Sequence, residues 1–177
     1  MPLPFLARRF HAAAVAALDP AGLRALAGAV LPSELGPQGV ERVVAEFERW
    51  LAGYREGAEL LHGYGTGEIR TAGPSPALRW SGQLERYNVA ARNSFRRNFV
   101  DLETAERQSL VRGSLAGERA GGLPQVDRAH DVSLGLLAFF YQSPEAADLC
   151  YGVAIGRNSC RPLAVSREAP LPLDRKD

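Results

Sequence analysis

Two proline-opened helices in immediate succession, between Leu18 and Trp50, constrain this chain more than any other feature. Asp19-Pro20 pairs an N-cap carboxylate with a first-turn residue that has no amide to leave unbonded. Leu23, Leu26, Ala27 and Val30 then recur at helical spacing until Pro32 stops the run. After Ser33-Glu34-Leu35-Gly36, Pro37 opens a second helix with Val40, Val43, Val44, Phe47, Trp50 and Leu51 on one face. Two apolar stripes this close together must find a common core, so the chain begins as a helical bundle.

The rest of the sequence continues in that style. Ser75-Pro76 repeats the cap-plus-proline device before a third helix with Trp80, Leu84, Tyr87, Ala91 and Phe95 as its stripe. Arg79, Arg86, Arg92, Arg96 and Arg97 fall mostly off that stripe. A fourth helix begins near Glu103 and carries Leu110, Val111 and Leu115, with Glu103 and Glu106 in its first turn, where acidic side chains suit the dipole. A fifth starts between Asp127 and Asp131. Its apolar surface (Val132, Leu136, Leu137, Phe139, Phe140 and Tyr141) is wide enough for a central, nearly surrounded position. Ser143-Pro144 caps a short sixth helix that ends at Tyr151-Gly152. The expectation is all-α: a compact single-domain bundle of about six helices with a long glycine-rich loop. Its organisation is an N-terminal arm over 1–17, a helical domain over 18–160 and a Pro-rich, partly disordered tail over 161–177.

The interruption is the segment from Gly53 to Pro76, too long for a plain connection. Within it, Glu68-Ile69-Arg70-Thr71 suits a short strand. Gly63, Gly65 and Gly67 follow His62 and precede Arg70, a pattern that offers backbone amides to an anion, a guanidinium to pair it and an imidazole to move a proton. No Walker lysine and no G-x-G-x-x-G fingerprint accompany these glycines, and glycines that permit positive φ in a tight loop give the same pattern. His11 and His130 have no companion at metal-binding spacing, and no G-x-S-x-G elbow or Cys-x-x-Cys-His occurs. The residues themselves thus define no catalytic, cofactor or metal constellation.

With 177 residues, 46% apolar and 23% charged, the chain holds enough material for one good core. A net charge of +1, from 21 basic and 20 acidic residues, gives no electrostatic case for nucleic acid. No apolar run is long enough to span a bilayer. Arg8-Arg9 before Phe10 to Leu18 has the outline of a twin-arginine leader, but the apolar stretch is short and no small-residue cleavage site follows. The plainer reading is an arm in which Phe5, Leu6, Phe10 and Val15 pack on the body or on a partner. Cys150 and Cys160 are either two idle thiols or a short-loop disulfide contributing about 2–3 kcal/mol. The pair therefore leaves cytoplasm and periplasm both open.

Four segments in order carry a family resemblance: "LDPAGLRALAGAVLPSELG", "FERWLAGY", "NFVDLETAERQSLV" and "LLAFFYQSPEAADLCYG". From about Leu18 to Gly152 the chain resembles the gluconate 2-dehydrogenase subunit 3 family. It departs at its end, where "CYGVAIGRNSCRPLA" replaces the glycine-tryptophan ending common in that family. The resemblance implies a small non-catalytic subunit that binds no cofactor itself. Its partner would be a large flavin-bearing dehydrogenase of the glucose-methanol-choline type, with FAD in that partner and sometimes a cytochrome subunit beside it. The small subunit would assist the assembly, stability or export of the large one. Interface candidates on this reading are Tyr54, Tyr64, Tyr141 and Tyr151, since tyrosine offers contact area with few rotors and a polar tip. The alternative reading is a small-molecule enzyme or anion-binding protein that uses His62, Gly63, Gly65, Gly67 and Arg70.

Overall fold

The computed structural model describes residues 18–61, 70–117 and 121–152. The fold is all-α. Six α-helices lie among the described residues: α1 Pro20–Val30, α2 Gly36–Ala52, α3 Ala77–Phe95, α4 Thr104–Ser114, α5 Val132–Tyr141 and α6 Pro144–Tyr151. The chain divides into two compact units, Met1–Tyr141 and Gln142–Asp177.

In the first unit, the Asp19 carboxylate accepts from the amides of Ala21 and Gly22 at 3.2 and 2.9 Å, so α1 starts at its proline as the sequence requires. Leu23, Leu26 and Ala27 are fully buried, and α1 packs against α2, α4 and α5. Ala25, Ala27 and Ala29 keep its surface low enough for such close neighbours. From α4, the Gln108 amide donates to the Ala29 carbonyl at 3.0 Å and satisfies one of the last orphan acceptors of α1.

A cluster of rings fills the other side of the core. Phe47 lies 5.9 Å from Trp50, 5.3 Å from Trp80 and 5.4 Å from Phe139 between ring centroids, which joins α2, α3 and α5. Trp80 is fully buried, a side chain whose removal from water is worth roughly 3 kcal/mol. Its close seat depends on Gly135 of α5: a Cβ there would stand 2.6 Å from Trp80 Cζ2.

Helix starts differ from the sequence reading at two places. Asp127 and Arg128 belong to a separate 3₁₀ turn, Val126–Arg128, and α5 begins only at Val132 with Asp131 before it. α3 begins at Ala77, and Ser75 Oγ accepts from its amide at 3.4 Å. The long segment after α2 contains a two-stranded antiparallel ladder, β1 Glu59–Leu61 with β2 Arg70–Thr71, in the register Glu59 to Thr71 and Leu61 to Arg70. The strand expected around Arg70 is present; its partner β1 carries no alternating pattern that would have announced it. α4 opens on the capping box of Glu103 and Glu106, with Glu106 Oε2 accepting from the Glu103 amide at 2.8 Å.

In the second unit, Ser143 Oγ accepts from the Ala146 amide at 3.2 Å, Pro144 follows, and Gly152 closes α6 at φ 64°. Both ends fall where the sequence places them.

Candidate functional site

The sequence-derived candidates have separate fates. Tyr54 is half-buried at the end of α2, its ring edge-on to Trp50 at 5.4 Å. Its hydroxyl donates to the Gly73 carbonyl at 2.9 Å, with Asp127 Oδ2 at 3.4 Å. Burial, and then the Asp127 charge, push this phenol above its ordinary value. Tyr54 thus holds the loop before α3 onto the end of α2. Tyr141 closes α5 with 47% of its surface exposed, its ring edge-on to Phe140 at 5.1 Å. Tyr151 and Cys150 are exposed on α6. Arg70 is exposed on β2. Tyr64, His62, Gly63, Gly65, Gly67 and Cys160 lie outside the described residues, as do the 1–17 arm and the 161–177 tail.

The structure points to a different place, a groove of about 350 Å³ between α3 and α4. Gln83, Arg86, Tyr87 and Ala90 line it from α3, and Ser109, Leu110, Gly113 and Ser114 from α4. At its base lies Asp131, 4% exposed. This carboxylate caps α5: Oδ1 accepts from the Ser133 amide at 2.8 Å and the Ser133 hydroxyl at 2.6 Å, while its own carbonyl accepts from the Gly135 amide. Oδ2 accepts from Ser114 Oγ at 2.9 Å, and the Tyr87 hydroxyl sits 3.1 and 3.2 Å from the two oxygens. One carboxylate therefore joins three helices. A buried charge survives only with such a set of donors.

The electrostatics of this base follow from burial. Desolvation pushes Tyr87 up to about 12, with the neighbouring Ser114 hydroxyl acting against that shift and the Asp131 charge acting with it. Tyr87 keeps its proton throughout the neutral range and spends it on Asp131. Its ring stacks on Phe99 at 5.4 Å, which fixes where the hydroxyl points. Arg86, also in the lining, is exposed and makes no hydrogen bond or ion pair with any described residue.

The turn that delivers Asp131 is held by α3. Arg79 and Trp80 donate to the Ala129 carbonyl at 2.9 and 3.1 Å. Gln83 uses both ends of its amide, Nε2 donating to the His130 carbonyl and Oε1 accepting from the Val132 amide at 2.7 Å. Arg79, Gln83 and Tyr87 are spaced i, i+4, i+8 along the border of the apolar stripe. That polar edge was the available signal. It is easily read as solvated surface, because nothing in the sequence says that the chain from Asp127 to Asp131 will lie against it.

No family model matches the chain, no curated protein matches it, and no solved structure matches it. Among the described residues no helix is long and apolar enough to cross a membrane.

Proposed function

We propose that this chain is a non-catalytic helical subunit that docks against a larger flavin-dependent dehydrogenase, as its resemblance to the gluconate 2-dehydrogenase subunit 3 family implies. FAD and the redox chemistry belong to the partner on this reading, and the same resemblance sometimes adds a cytochrome subunit to the assembly. The reading starts from the ordered motifs.

The observation that carries it is convergence. Parts of the segments bearing the resemblance meet in the core of the first unit, although α3, which supplies Trp80, Leu84, Tyr87 and Ala91, lies in none of them and the fourth segment runs on through α6. α1 packs on α2, α4, α5 and the 3₁₀ turn Phe99–Asp101, while Phe47 and Trp50 meet Phe139 at 5.4 and 6.1 Å. Motifs that meet in space describe a shared architecture better than motifs scattered over loops. Tyr141 suits an anchor on a partner, because it is about half-exposed and its ring is already placed against Phe140.

The test is purification from the source cells under native conditions, followed by intact-complex mass spectrometry. The expected result is a complex with a larger protein that carries flavin absorbance. Tyr141→Ala should weaken that complex about tenfold while leaving the subunit folded. Recovery of the chain with no flavin-bearing protein would sink the reading.

A further inference from the structure

The α3–α4 groove has a polarity that selects its ligand. At the base, a carboxylate accepts hydrogen bonds and gives none, so the hydroxyl hydrogens of Tyr87 and Ser114 point at Asp131. Each hydroxyl has only one hydrogen. Ser114 and Ser133 also neighbour the Tyr87 hydroxyl, and the acceptor capacity that remains on Tyr87 and Ser114 lies beside a buried carboxylate. Such a base accepts a donor, and a cationic donor best.

The outer edge has the opposite character. Arg86 carries a guanidinium with no partner among the described residues, and its flat fork of donors matches a carboxylate. Arg86 and Tyr87 are consecutive in α3 and both line the groove. The lining also includes apolar side chains, Ala90 on one helix and Leu110 on the other. Gly113 leaves the space open, since a Cβ there would meet nothing within 4 Å. A groove of about 350 Å³ with apolar walls and a few convergent polar groups has the dimensions of a small-molecule site.

We propose that this groove binds a small zwitterion, an α-amino acid with an apolar side chain. Its ammonium rests on the Tyr87 and Ser114 oxygens above Asp131, its carboxylate on Arg86, and its side chain between Ala90 and Leu110. The groove holds this ligand whether or not the chain also has a protein partner.

The experiment is a titration of the full chain with L-leucine, followed by calorimetry and by NMR shifts of the groove residues. Isocaproate, which lacks the ammonium, and isoamylamine, which lacks the carboxylate, are matched probes. L-leucine should bind saturably and each half-probe about tenfold more weakly or worse. Arg86→Ala should weaken leucine binding about tenfold, and Arg86→Lys should restore part of it. Gly113→Leu fills the space and should abolish binding, while an unchanged circular dichroism spectrum shows that each variant is folded. No saturable binding at roughly tens of millimolar leucine would overturn the proposal. So would isoamylamine binding as tightly as leucine, or leucine binding unaltered by Arg86→Ala and Gly113→Leu together.

Discussion

Asp131 accepts from Tyr87, Ser114 and Ser133 at once, so one substitution tests the joint between α3, α4 and α5. Asn in its place offers one acceptor oxygen and an amide that donates toward hydroxyls which also need to donate. Asp131→Asn should lower the free energy of unfolding by about 2 kcal/mol in urea titrations, through the unmatched hydroxyls. A loss below measurement error would mean that the cluster merely coexists with the fold. Tyr87 adds a pH signature. An unfolded tyrosine releases its proton near 10.0, whereas the folded phenol holds it to about 12. The folded state therefore binds the proton more tightly, and the stability linked to it is complete below pH 10.0. That contribution falls as pH rises through 12. Tyr87→Phe keeps the stack on Phe99 but has no proton to lose. The difference in urea midpoint between wild type and Tyr87→Phe should shift against the wild type above pH 10.0 and be constant below it. Parallel curves across that range would refute the assignment.

At the scale of elements, punctuation was the legible part of the sequence. Asp19-Pro20, Ser143-Pro144 and Gly152 act locally, through side-chain oxygens two or three residues away and one left-handed turn, so their outcome needs no knowledge of the fold. The groove was not legible, because it depends on which helices become neighbours. Asp131 reads as one more helix start until α3 and α4 arrive beside it. The start of α5 falls at the far edge of the window from Asp127 to Asp131 for the same reason: Asp127 and Arg128 suit a first turn, but Arg79 of α3 bonds the carbonyls of Asp127 and Ala129 and holds this stretch apart from the helix. Glycines make the same point with opposite signs. Gly113→Ala places a methyl in open space within α4 and should raise stability by about 0.5–1 kcal/mol. Gly135→Ala drives a methyl into the fully buried Trp80 ring and should cost about 1–3 kcal/mol. Thermal melts of the two variants compare them directly, and equal shifts in one direction would contradict the close approach of α5 to Trp80.

For the molecule as a whole, the near balance of charge, 21 basic against 20 acidic residues, gives no long-range pull toward a highly charged partner. Its buried hydrophobic residues are concentrated before residue 142. Among the described residues, those from Leu18 through Phe140 include every fully buried aromatic ring, and beyond Tyr141 only Ala146 belongs to the buried apolar set. Unit Met1–Tyr141 thus contains a core sufficient for cooperative folding, built from α1 to α5 and closed by the Asp131 joint. A chain ending after Gln142 should keep a single sigmoidal urea transition with an appreciable slope, since that slope follows the surface exposed on unfolding and most of that surface lies in the first unit. The same chain should retain the shifted tyrosine titration of Tyr87, whose neighbours Phe99, Ser114 and Asp131 all precede the cut. A broad, non-cooperative transition in the shortened chain would show that residues after Gln142 are needed for the core to hold.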